Sequence, residues 1–109
     1  MATRIELVEF IGGHSVLLEA GSTDVEATII DAGYIPSGYF WERVAVWLIE
    51  RDDVPAELSL ECSANLFSAS GLQEPAEKLR EKLVTLTADS AALRSLIDDA
   101  KAHDFTLEF

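Results

Sequence analysis

Ile5-Glu6-Leu7-Val8-Glu9-Phe10-Ile11-Gly12-Gly13-His14-Ser15-Val16-Leu17-Leu18-Glu19 decides how the rest of the chain is read. Apolar and polar residues alternate in Ile5–Phe10, and Ser15–Glu19 forms a second short run beyond Gly12-Gly13-His14. Two such runs separated by a glycine turn have the spacing and turn chemistry of an antiparallel hairpin.

Beyond Gly21 the periodicity changes. Val25, Ile29 and Ala32 fall at i, i+4 and i+7, with Ser22-Thr23-Asp24 offering a side-chain cap and Gly33 a stop, which predicts a first helix. Tyr34–Gly38 reads as a loop, and a second helix is expected from about Tyr39 to Arg51. Its Phe40, Trp41, Val44, Ala45, Trp47, Leu48 and Ile49 cover more than one face, so it is either central to the core or an apolar surface for a partner. Asp52-Asp53-Val54-Pro55 ends it. Leu58–Cys62 and Leu66–Ser70 then form a second predicted hairpin around Ser63-Ala64-Asn65. From Pro75, Leu79, Leu83 and Leu86 repeat at helical spacing with charges on the other faces. Asp89 or Ser90 caps a last helix, striped by Leu93, Leu96, Ile97 and Ala100 and running to about His103. Phe105–Phe109 alternates as a final strand would. The expected order is ββααββααβ, an α+β domain whose mostly antiparallel sheet is covered on one face by two helix pairs.

A chain of 109 residues is one domain by size, and its 49% apolar composition suffices for a core. No apolar run approaches the roughly 18 residues of a membrane span, so no membrane association is expected. Cys62 is the sole cysteine, which rules out an intrachain disulfide, suits a reducing cytoplasm and reads as a core position. Twenty acidic against eight basic side chains give a formal charge of −12. Residues 1–70 hold twelve acids and three bases, residues 71–109 eight acids and five bases. Nucleic acid and anionic lipid are bound by clustered Lys and Arg, which this chain lacks; a basic protein is the natural counterpart.

Catalytic chemistry finds little support. His14 and His103 have no second metal-type side chain at helical or hairpin spacing, so no metal is expected. Gly12-Gly13 lacks the remaining spacing of a nucleotide loop, and no cofactor is expected. Ser59, Ser63, Ser68 and Ser70 lie in no nucleophile-elbow pattern, and Asp52-Asp53 and Asp98-Asp99 are adjacent pairs near helix surfaces, better explained by solvation than as paired acids facing a cleft. The densest cluster is Tyr34-Ile35-Pro36-Ser37-Gly38-Tyr39-Phe40-Trp41-Glu42. Phe40 and Trp41 are core anchors in this reading, whereas Tyr34, Tyr39 and Glu42 suit a binding rim.

Gly38-Tyr39-Phe40-Trp41-Glu42 opening a helix, after a short acidic helix ending in Gly33, resembles the immunity protein 51 family of bacterial polymorphic-toxin systems. The resemblance continues through the acidic strand pair around Glu61, Leu66-Phe67-Ser68-Ala69 before a leucine-patterned helix, Ala88-Asp89-Ser90-Ala91-Ala92-Leu93, and His103-Asp104-Phe105. It departs at Asp104, where the family pattern has glycine, and at Ser63-Ala64-Asn65, where a proline- or glutamate-containing turn is expected. The resemblance implies a cytoplasmic antidote, monomeric when free, that binds a cognate toxin domain one-to-one and brings no catalytic residues. A basic toxin would be steered by the acidic first two thirds. The expected contact residues are Glu19, Asp24, Glu26 and Asp31 on one side, Glu42, Asp52, Asp53 and Glu57 on another, with Tyr34 and Tyr39 as anchors. A small carboxylate-dependent enzyme and an adaptor or homo-oligomeric domain are the competing expectations.

Overall fold

The computed structural model describes residues 5–107. The first alternating stretch forms β1 (Ile5–Phe10) and β2 (Gly13–Glu19), paired antiparallel from Ile5 opposite Leu18 to Phe10 opposite Gly13. Gly13 and His14 therefore belong to the strand, and the turn narrows to Ile11-Gly12, with Gly12 at φ 96°. The second hairpin pairs β3 (Leu58–Leu60) with β4 (Leu66–Gly71), and β4 also pairs antiparallel with β2. The sheet order is β1-β2-β4-β3.

Side-chain parity assigns the two faces. Val16 and Leu18 on β2 stand beside Ala69 and Phe67 on β4, and all four are fully buried. Their alternates Ser15, Leu17, Ser68 and Ser70 are only partly covered. All four helices therefore lie on one side: α1 (Glu26–Asp31), α2 (Gly38–Glu50), α3 (Gln73–Ala88) and α4 (Ser90–Ala102). The resulting α+β layering is the one the alternation implies, since a strand with one apolar edge buries only that face.

Local chemistry fixes the helix ends. Ser37 caps α2 by accepting from the Phe40 amide, and Asp89 caps α4 by accepting from the Ala91 and Ala92 amides. At the other end three helices close with the same pair of backbone bonds: Gly33 and Tyr34 donate to Ile30 and Ile29, Asp52 and Asp53 to Ile49 and Leu48, and Asp104 and Phe105 to Lys101 and Ala100. This motif needs a left-handed residue, found here as Gly33 at φ 93°, Asp52 at 62° and Asp104 at 56°.

Several expectations are corrected. The N-cap of α1 is Val25, which makes no side-chain bond, so the cap position falls one residue beyond Ser22-Thr23-Asp24. Ser22 instead donates its hydroxyl to the Glu19 carbonyl in a 3₁₀ turn over Ala20–Ser22, and Thr23 is buried. α3 begins at Gln73, so Pro75 occupies its third position, still within the first turn where its missing amide is harmless. Phe105–Leu107 adds no strand, and residues 108 and 109 of the expected terminal strand lie outside the described residues. Phe105 instead packs on Trp47 with ring centroids 4.8 Å apart, and Leu107 is buried. Arg43 holds this segment by lying over Phe105 and donating to the Thr106 carbonyl.

Candidate interaction surface

α2 carries the core through the molecule. Phe40, Trp41, Val44, Ala45, Trp47 and Leu48 are all buried, so its all-round apolarity is accounted for by packing within the domain. Its first turn docks on the β3–β4 loop. The Gly38 amide donates to the Ala64 carbonyl at 3.1 Å, and a Cβ at Gly38 would overlap the Ser63 and Leu66 carbonyl oxygens. The same loop donates from Leu66 to the Ser63 hydroxyl and accepts from Ala20 through Asn65, so Ser63-Ala64-Asn65 joins α2 to the end of β2.

This arrangement separates the expected contact residues. Around the start of α2 lie Tyr34, Tyr39 and Glu42, with Glu19 opposite Leu66 at the adjoining end of the sheet. Tyr34, Ile35, Tyr39, Phe40 and Leu107 line a depression of about 280 Å³ there, in which Ile35 is 77% and Tyr39 41% exposed. Tyr34 is covered by Lys101, whose ammonium stands 5.5 Å from its ring and donates to the Ala32 carbonyl. Asp24 and Asp31 are exposed and Glu26 half-buried, with Arg94 3.8 Å from Asp31. Asp52 and Asp53 lie beyond the other end of α2, which its thirteen residues place about 20 Å away at 1.5 Å rise per residue. Glu57 is exposed beside them in sequence, and its carbonyl approaches Gly71 at the far end of β4.

A second groove of about 420 Å³ is lined by Trp47, Arg51, Asp53, Lys82, Leu96 and Asp99, among others. Arg51 pairs with Asp99 and stands 3.7 Å from Asp53, with its guanidinium 5.7 Å from the Trp47 ring. One guanidinium therefore ties the two carboxylates, which do not face each other across open space. His103 closes α4, its Nδ1 2.8 Å from the Asp99 carbonyl and its ring 5.6 Å from Trp47. His14 is half-buried with Nε2 3.8 Å from Glu9. Among the described residues no group of three His, Cys, Asp or Glu side chains is placed to hold a metal ion, and no helix is long and apolar enough to cross a membrane.

Cys62 follows β3 with its thiol directed at the Ser68 carbonyl, 3.9 Å away. Burial pushes this thiol up to about 11; the Ser68 contact opposes the shift and the nearby Glu42 charge adds to it. It is thus protonated near neutral pH and a poor nucleophile.

The expected layering leaves one face of the sheet without helices, but of that face only Glu19 stood among the expected contact residues. Glu6, Val8 and Phe10 of β1, Ser15, Leu17 and Glu19 of β2, Leu66, Ser68 and Ser70 of β4 and Ser59 of β3 share it by register. Phe10 is 46% and Val8 40% exposed. The signal that reveals this face is the identity of the alternate positions, four serines and several apolar residues where a solvated face usually carries mostly charged ones.

Compared with known protein families, curated proteins and solved structures, the chain matches none.

Proposed function

We propose that this chain is an antidote protein that binds a basic bacterial toxin domain one-to-one and neutralises it in the cytoplasm, as its resemblance to the immunity protein 51 family implies. The observation that supports this reading is the coupling of a −12 charge to an uncovered sheet without a single Lys or Arg in β1 to β4. Such a surface attracts cationic proteins by long-range steering and offers apolar area for contact once they arrive. The adaptor or homo-oligomer reading drew on the apolar circumference of α2, which the core now uses.

Co-expression tests the proposal. Cells producing the toxin domain encoded beside this gene should survive when the chain is present and die when it is absent. Unchanged killing by every neighbouring toxin, with the chain soluble and abundant, would overturn it.

A small carboxylate-dependent enzyme is the second reading, favoured only by Asp53 and Asp99 sharing one groove. Asp99→Asn abolishing a hydrolytic activity of the purified chain would support it.

A further inference from the structure

We propose that the uncovered face of the sheet is the docking surface, and that its occupant is a basic segment of the partner protein. The inference rests on the binding function proposed above and adds the place of contact. Three observations converge. First, the face is open to solvent although it carries apolar side chains: Val8 and Phe10 are exposed, and Leu66 joins them at 36%. Second, its centre is flat. Ser15 and Ser70 hydrogen-bond to each other through their hydroxyls at 2.7 Å, and Ser59 lies opposite Ser70 on the next strand, so a row of small side chains crosses three strands and lets another backbone approach. Third, among the described residues of the strands the charge is of one sign. Glu6 and Glu19 stand on this face, Glu61 follows β3 with its amide bonded to the Ser68 carbonyl, and none of the four strands contributes a Lys or Arg.

These features select among occupants. A second copy of this chain would bring its own glutamates against Glu6 and Glu19, and like charges opposed across strands are destabilising. An acidic or neutral partner gains nothing from the flanking carboxylates. A segment with Lys or Arg flanking an apolar centre fits both features, with apolar contact on Val8, Leu17 and Phe10 and ion pairs at the rim. The helix layer presents a different surface: Lys78, Lys82, Arg94 and Lys101 are exposed there, so its acids stand among bases.

Binding of an inactivated candidate toxin domain, measured by titration calorimetry, tests the assignment. Glu6→Gln/Glu19→Gln removes two charges from the open face, and Glu81→Gln/Asp98→Asn removes two from the helix layer, so both variants carry the same net charge. The face variant should bind about tenfold more weakly at 0.1 M salt and the helix variant less than threefold. Ser59→Arg, placed on an exposed strand position, should weaken binding about a hundredfold with its thermal melt unchanged; should it not fold, the glutamine pair decides alone. Equal affinities for the face variants and the unaltered chain, with loss in Tyr39→Ala instead, would move the interface to the start of α2. If the unaltered chain does not bind while it remains folded, the proposed function fails and the docking surface with it.

Discussion

Asp52 and Asp104 hold a backbone conformation that L residues adopt at a cost of roughly 1–2 kcal/mol, and each places a negative charge at the negative end of a helix dipole. Asp52→Gly and Asp104→Gly should each raise stability by about 0.5–1 kcal/mol in chemical denaturation, and Gly33→Ala should lower it by about 1–2 kcal/mol. A loss of stability in both glycine variants would show that the aspartate side chains contribute contacts outweighing the strain. Only the family resemblance marked position 104 as a place for glycine, and nothing marked Asp52, because Asp52-Asp53 reads equally well as a solvated pair. Cys62 makes a second prediction at this scale. Its raised thiol pKa favours the protonated form in the folded chain, so the stability it contributes is present below 9.0 and is lost as pH rises through about 11. At pH 8 the native thiol should react with an aromatic disulfide reagent at least about tenfold more slowly than in the denatured chain, since only the thiolate attacks. Equal rates would contradict its partial burial.

α2 is the element on which both the core and the surface depend. Trp47 is 7% exposed and packs against Phe105, His103 and Arg51, so Trp47→Ala should cost about 3–5 kcal/mol and release the segment that follows α4. A loss under about 1 kcal/mol by urea denaturation would place Trp47 at the surface instead. Gly38→Ala should be at least as damaging as an ordinary core change, about 2 kcal/mol or more, because the new Cβ meets backbone carbonyls that cannot swing aside. The extent of α2 was legible from its apolar spacing. Its placement was not, since an all-round apolar helix has no distinguished face. The start of α1 shifted for a related reason: three polar residues before an apolar repeat carry the composition of a cap, but a 3₁₀ turn takes the Ser22 hydroxyl and Val25 stands at the N-cap. The expected strand at Phe105–Phe109 failed as far as it is described because Phe105 is drawn onto Trp47, a tertiary contact that local alternation does not encode.

Across the whole molecule, charge and layering divide the surface into two kinds. The helix layer mixes acids with bases, as in the pairs of Arg94 with Asp31 and Arg51 with Asp99, while the open sheet face carries glutamates and no strand cation. The contact residues expected from sequence fall in different places: Glu19 borders the open face, Tyr34, Tyr39 and Glu42 gather at the start of α2, and Asp52 and Asp53 lie about 20 Å from them beyond its end. A linear sequence gives the total charge directly, but only strand register tells which acids share a face. Neutralisation of a basic toxin by charge-steered binding is the proposal, and titration of the chain with an inactivated candidate toxin domain at 0.1 M and at 1 M salt tests it most directly. One-to-one binding is expected with a dissociation constant in the nanomolar range or below, weakening at least about tenfold as the Debye length falls from roughly 10 Å to 3 Å. Absence of binding at micromolar concentration, or an affinity indifferent to salt, would contradict it.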